Sequence, residues 1–226
     1  MNKALKMGSR MLVPVLLCLS FLLVLLVCEN RTAFTARERM IIEKSDSLMY
    51  VTVLPEDSVI LRAKSIDLGP RELNSPSLKV LLDKMLYTVQ DPSQGGVGIA
   101  APQVGINRRI VCVQRLDKAD EPFECYLNVL IESLFGPVSS GPEGCLSVPG
   151  KRGMVPRHNG VIISYVKPET LEPVRDTVEG FTAIIFQHEI DHLDGILYID
   201  KAETVYANPS WIQERAAYTY DRPDWW

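Results

Sequence analysis

Histidine, cysteine and unbalanced charge are all scarce in this sequence, and each shortage excludes something. Its 226 residues hold 24 Lys and Arg against 28 Asp and Glu, a net charge of -4. With no basic excess, basic stripe or zinc-finger spacing, direct nucleic-acid binding is not expected. Cysteine occurs five times, at Cys18, Cys28, Cys112, Cys125 and Cys145. The first two lie in an apolar run. The other three are an odd number without paired spacing, so no disulfide framework is expected. Cys112 and Cys125 read as strand cores. Internal repeats and low-complexity tracts are also missing, which leaves an ordinary globular balance with one sizeable core. There are three histidines, and two of them, His188 and His192, stand four residues apart.

What the sequence does have, near its start, is one long apolar run. Lys3, Lys6 and Arg10 precede residues 11–28, MLVPVLLCLSFLLVLLVC, which carry no charge. A basic start before an apolar stretch is the layout of an export signal, and eighteen residues just suffice to span a membrane. Residues 1–28 therefore read as a signal peptide, a lipoprotein signal ending at Cys28, or a membrane anchor. A start site near Met40 or Met49 is a further reading. Membrane association through this segment is an expectation, and the side of the membrane is left open because Arg31, Arg37 and Arg39 balance the upstream charges. Residues 29–57 read as a linker with a short strand at 49–54, residues 58–205 as the compact domain, and residues 206–226 as a tail.

Ser75, Pro76 and Ser77 open a helix in which Leu78, Leu81, Leu82, Met85 and Val89 recur at helical spacing. Residues 109–114 (RIVCVQ), 123–131 and 161–166 (VIISYV) read as strands. Residues 181–193 form a helix apolar on most faces, stopped by Asp194 and Gly195. The expected fold is α+β, with antiparallel or mixed strands packed around a central buried helix.

That helix carries His188, Glu189, Ile190, Asp191 and His192, an H-E-x-x-H pattern. At about 100° per residue the two imidazoles share a face and can reach one cation. Glu189 adjoins them and can serve a metal-activated water as acid/base. An unpaired buried carboxylate is costly, which argues against an incidental acid. A catalytic metal needs a third protein ligand. No histidine follows His192, and no later acid has a supporting motif. Cys145, in the stretch EGCLS at 143–147, is a candidate; from these residues alone a buried free cysteine is the stronger account of it.

Three motifs stand in order: GVGIAAPQ at 96–103, EGCLS at 143–147 and QHEIDH at 187–192. Together they closely resemble the signature motifs of peptide deformylases, over roughly 140 residues from about Leu61 to Ala202. The resemblance implies a metal-dependent hydrolase that removes formyl from N-formylmethionyl peptides and nascent proteins, releasing formate. It implies Cys145, His188 and His192 as ligands of one divalent ion, Fe2+ or alternatively Zn2+. It also implies Glu189 as acid/base, with the Gln103 amide and the Leu146 N–H as donors to the developing oxyanion. Gly98, Val97, Gly144, Ile184 and Ile185 would bind substrate, the three apolar residues lining a methionine pocket. Gln187, Asp191, Arg152 and Arg157 read as structural, with the two arginines orienting loops, and His158 as a surface residue in a polar turn. One departure is Val129, where the family commonly has proline. The same-motif alternative is a conventional metalloprotease. A different class, an anchored non-catalytic formyl-peptide- or metal-binding protein, has no need of Glu189.

Overall fold

The computed structural model describes residues 34–208. The expectations for residues 1–28 and for most of the tail lie outside these. Among the described residues no helix is long and apolar enough to cross a membrane.

Five strands form an antiparallel sheet in chain order: β1 (Gly98–Ala100), β2 (Ile110–Gln114), β3 (Phe123–Glu143), β4 (Lys151–Val166) and β5 (Pro173–Glu179). A sixth, β6 (Thr204–Ala207), pairs with the start of β4. The helices are α1 (Ala36–Lys44), α2 (Ser58–Leu61), α3 (Pro70–Leu73), α4 (Pro76–Gln90), α5 (Gly180–Leu193) and α6 (Tyr198–Lys201). The α+β class with an antiparallel sheet is as expected.

Strand β2 explains why its sequence is apolar throughout. Ile110 and Cys112 pack on one side with Ile41, Ile42, Leu81, Met85 and Leu127. Val111 and Val113 pack on the other with Tyr126, Ile163, Phe186 and Ile190. Alternate residues of a strand point to opposite faces, so a strand covered on both needs an unbroken apolar run. Helices α1 and α4 cover the first face and α5 the second. Full burial of each large aliphatic or aromatic side chain here contributes about 1.5–3 kcal/mol.

Three expectations are corrected. Residues 34–57 are not a free linker. Helix α1 begins with a Thr35–Glu38 capping box, and its Ile41 and Ile42 are fully buried. A chain starting at Met40 or Met49 would lack buried Phe34 and the Glu38–Arg108 ion pair. Residues 49–54 form no strand; the Thr52 N–H donates to the Gln103 carbonyl at 2.8 Å and the Leu54 N–H to that of Ser147 at 2.9 Å, which ties this segment to two of the motifs. Finally, Cys112 and Cys125 do sit in strands, but as a disulfide: the register places them directly opposite one another across β2 and β3.

Candidate active site

Helix α5 supplies the densest chemistry. It starts at Gly180, which has φ 68°, and ends at Leu193; the chain then turns away at Gly195, whose φ of 73° is in the left-handed region where glycine carries no penalty. His188 and His192 lie one turn apart with ring centroids separated by 5.2 Å. Cys145 reaches them from the turn between β3 and β4. Its Sγ lies 3.2 Å from His192 Nε2. One donor atom each from Cys145, His188 and His192 lie within 4.8 Å of one another.

The tautomer of His188 follows from its partner. Its Nδ1 donates to Glu143 Oε2 at 2.8 Å, leaving Nε2 for the cleft. Burial works against the Glu143 anion, yet the bonds from His188 and Arg157 outweigh it and hold its pKa near 2. Arg157 grips both Glu143 oxygens, at 2.8 and 3.0 Å, and its other nitrogen donates to Asp191. Asp191 also takes Lys201 at 2.6 Å. Arg157 belongs to strand β4, so it anchors a network under the site and not a loop. His158 also lies in β4, half-buried, with its Nδ1 3.3 Å from the Gly136 carbonyl. Gln187 clasps the His158 backbone at 2.7 and 3.1 Å, joining α5 to β4.

Glu189 is buried beside this group. Burial raises its pKa to about 7, with Glu143 adding to the effect and His188 and Arg157 opposing it. Its Oε2 has no hydrogen-bond partner among the described residues. The same carboxylate explains Gly98: a Cβ there would lie 2.6 Å from Glu189 Oε1 and 2.9 Å from Cδ. Glycine is required because the acid rests on the strand. Gln103 turns its Oε1 to the Ala100 N–H at 2.8 Å. Its Nε2 therefore faces Cys145 Sγ at 3.5 Å and Ser147 Oγ at 3.3 Å.

Cys145, His188 and Glu189 face one cleft of about 730 Å³. Val97, Gly98, Gln103, Gly144, Cys145, Leu146, Ile184, Ile185, His188 and Glu189 line it, and His192 is buried behind. The sequence-derived site residues thus converge. The sequence assigned no role to Glu143 and only a loop-orienting one to the Arg157 beneath it, although Glu143 opens a recognised motif. Its position two residues before Cys145 was the available signal.

A thiolate sulfur and two imidazole nitrogens are a donor set for a transition-metal ion of intermediate softness. The residues fit such an ion, because His188 has one nitrogen already committed to a carboxylate and Glu189 keeps an unpartnered oxygen beside the donors. The fold and site thus define a class: compact α+β proteins with a mononuclear metal-type centre and an adjacent acid in a peptide-sized cleft.

Comparison with known proteins narrows this class. The family model for polypeptide deformylase matches residues 49–215. A peptide deformylase of Lachnoclostridium phytofermentans is 44% identical over 131 residues, 56% of this chain and 75% of that one. One from Leptospira biflexa is 35% identical over 159 residues, 67% of this chain and 87% of its own. The Met-Ala-Ser-bound crystal structure of a class I type b peptide deformylase from Acinetobacter baumannii superposes with a TM-score of 0.61 at 37% identity, covering 68% of this chain and 98% of that one. The chain belongs to the peptide deformylase family of enzymes, and relatives and structural neighbours together support deformylase activity.

Proposed function

We propose that this chain hydrolyses the formamide of N-formylmethionyl peptides and nascent proteins, releasing formate, with one divalent metal ion held by Cys145, His188 and His192. Ferrous iron is the expected ion, and zinc suits the same donors. The observation that carries the reading is the convergence of those three donors within 4.8 Å beside Glu189. In this reading α5 is the organising element of the site. The Acinetobacter relative was crystallised with the peptide Met-Ala-Ser, which supports a peptide substrate.

A divalent ion in this place supplies Lewis-acid charge that acidifies water and polarises a carbonyl. The side chains do the rest. Glu189 accepts the proton of the attacking water and passes it to the leaving amine. Burial disfavours its anion and so makes the carboxylate a stronger base for that proton. The Gln103 amide and the Leu146 N–H donate to the negative charge that develops on the formyl oxygen. Glu143 fixes the His188 ring, and Arg157 fixes Glu143. Val97, Ile184 and Ile185 receive the methionine side chain. Gly98 and Gly144 leave backbone open to an extended peptide.

The test is formate release from formyl-Met-Ala-Ser by the iron-loaded full chain, prepared without air, beside an assay on unformylated peptides. Release of formate with internal bonds left intact supports the reading. Cleavage of internal bonds points to a conventional protease, and peptide binding without turnover to a non-catalytic role.

The contact between Gly98 and Glu189 gives a sharper expectation. Gly98→Ala should lower kcat by about 100-fold, the scale set by an ångström of misplacement, because buried Glu189 must move. Metal content should stay at the wild-type level. Measuring kcat and bound metal together checks this, and an unchanged kcat would remove Glu189 from its assigned position.

A further inference from the structure

Two cations at the outer cleft take no part in the chemistry above. Lys151 and Arg152 open strand β4 and line the same cavity as the catalytic groups. Both are exposed. Among the described residues neither has a carboxylate partner. The acids that share the cleft are otherwise engaged. Glu143 is held by Arg157 and His188, and Glu189 is buried against Gly98. Among the described residues the outer cleft therefore carries two positive charges without a paired acid, on a chain whose net charge is -4.

Their placement is fixed by the fold. Lys151 pairs with Ala207 and Arg152 with Tyr206 in the β4–β6 ladder, and the Asn208 N–H closes on the Gly150 carbonyl at 2.8 Å. The Arg152 side chain lies along the backbone of Gly144: a Cβ on Gly144 would sit 3.7 Å from its Cγ and 3.8 Å from its Nε. Gly144 immediately precedes Cys145. A guanidinium is thus held on a strand one residue from the reacting centre, bordering the path of an extended peptide that leaves it.

We propose that Arg152, assisted by Lys151, forms a cationic subsite that selects formyl-methionyl chains with an acidic side chain in the first residues after the methionine. This rests on the deformylase reading of the site and adds the substrate class it prefers. The chemistry is attraction between a fixed guanidinium and a carboxylate, partly exposed and hence modest and salt-dependent.

The test uses C-terminally amidated peptides, so that only a side-chain carboxylate is read: formyl-Met followed by Ala, Glu or Lys at the second and third positions. For the iron-loaded full chain, kcat/KM for the best Glu peptide should exceed that of the matching Lys peptide about three- to fivefold at low ionic strength, and the ratio should fall toward one in high salt. Arg152→Glu should invert the ratio and Arg152→Gln should flatten it. Binding of the deformylated amides to the protein should follow the same order. If Arg152→Glu does not fold, the Arg152→Gln ratio and the salt dependence of the wild type decide. Formate release with equal rates for Glu and Lys peptides, or a ratio untouched by charge reversal, overturns the subsite alone. No release from any peptide overturns the deformylase reading and the subsite with it.

Discussion

Glu189→Gln is expected to bind metal as the wild type does and to lose about 1000-fold of its turnover, within the range that general acid–base groups supply. The amide has the carboxylate's shape, so the packing of Glu189 against Gly98 is preserved. None of the three donor atoms is touched. What disappears is a group able to take and return a proton. The surroundings of Glu189 suit proton transfer, since burial raises its pKa to about 7 and one of its oxygens is left without a protein partner among the described residues. Steady-state kinetics and metal analysis on the same preparation separate the outcomes. Wild-type turnover in the glutamine variant would end the assignment. Loss of metal together with turnover would make Glu189 a ligand or a packing residue instead.

The second large effect is on stability. Arg157→Met should destabilise the protein by about 3–5 kcal/mol, the usual consequence of removing one partner from a buried ion pair. For a domain of this size that is roughly 10 °C in melting temperature. The Arg157 side chain is only 3% exposed and neutralises Glu143 and Asp191, themselves 9% and 12% exposed. Methionine fills the space but leaves Glu143 with His188 alone and Asp191 with Lys201 alone. The pH dependence has a definite sign. In the wild type Glu143 is depressed from an ordinary 4.5 to about 2, so its pairing contributes stability above pH 4.5 that is lost as pH falls toward 2. The variant keeps the His188 bond but lacks the share that Arg157 supplies, and the gap in melting temperature should narrow over the same window. Metal affinity should fall about 10- to 100-fold, since Glu143 orients His188. A variant as stable as the wild type at neutral pH would contradict this account of the network.

How far the sequence revealed the structure depended on whether the signal was local. Helix α4 and helix α5 were legible from periodicity and stop signals, and β2 from its apolar run. The ends of β3 and β4 were not. Residues 132–143 contain Gly136, Pro137, Gly141 and Pro142, which interrupt any strand pattern beyond Ile131. They form strand because β2 pairs only with Phe123 to Leu127, so the rest of β3 is an edge on that side, where a missing N–H is tolerated. Register shifts near Leu130, Ser133 and Val138 absorb the irregular residues. Gly160 is required opposite Phe135, whose ring occupies the space a Cβ would need. Helix α1 was signalled by the Thr35–Glu38 capping box, but its weak periodicity hid it.

The site divides in the same way. His188, Glu189 and His192 are one turn of one helix, and spacing alone brings them together. Cys145 is 43 positions before His188; the residues alone made it a candidate, and only the family resemblance decided for it. The Cys112–Cys125 bond depends on the register Gln114 to Phe123, which a connection of unknown shape between the two strands did not disclose. Glu143 and Arg157 meet because β3 and β4 run antiparallel. Their separation in sequence, 14 positions, carried no sign of it. Arg152, read from sequence as orienting a loop, is placed at the cleft by the β4–β6 ladder.

The central claim is tested most directly by titrating the metal-free full chain with Fe2+ in the absence of oxygen, following bound metal and formate release from formyl-Met-Ala-Ser together. The account predicts that activity rises with bound iron and saturates at one ion per chain. It also predicts that Cys145→Ser shows a loss of affinity greater than about 100-fold, beyond the effect of disturbing a residue behind the ligands. Formate release that needs no metal, or tight stoichiometric binding undiminished in Cys145→Ser, would contradict it.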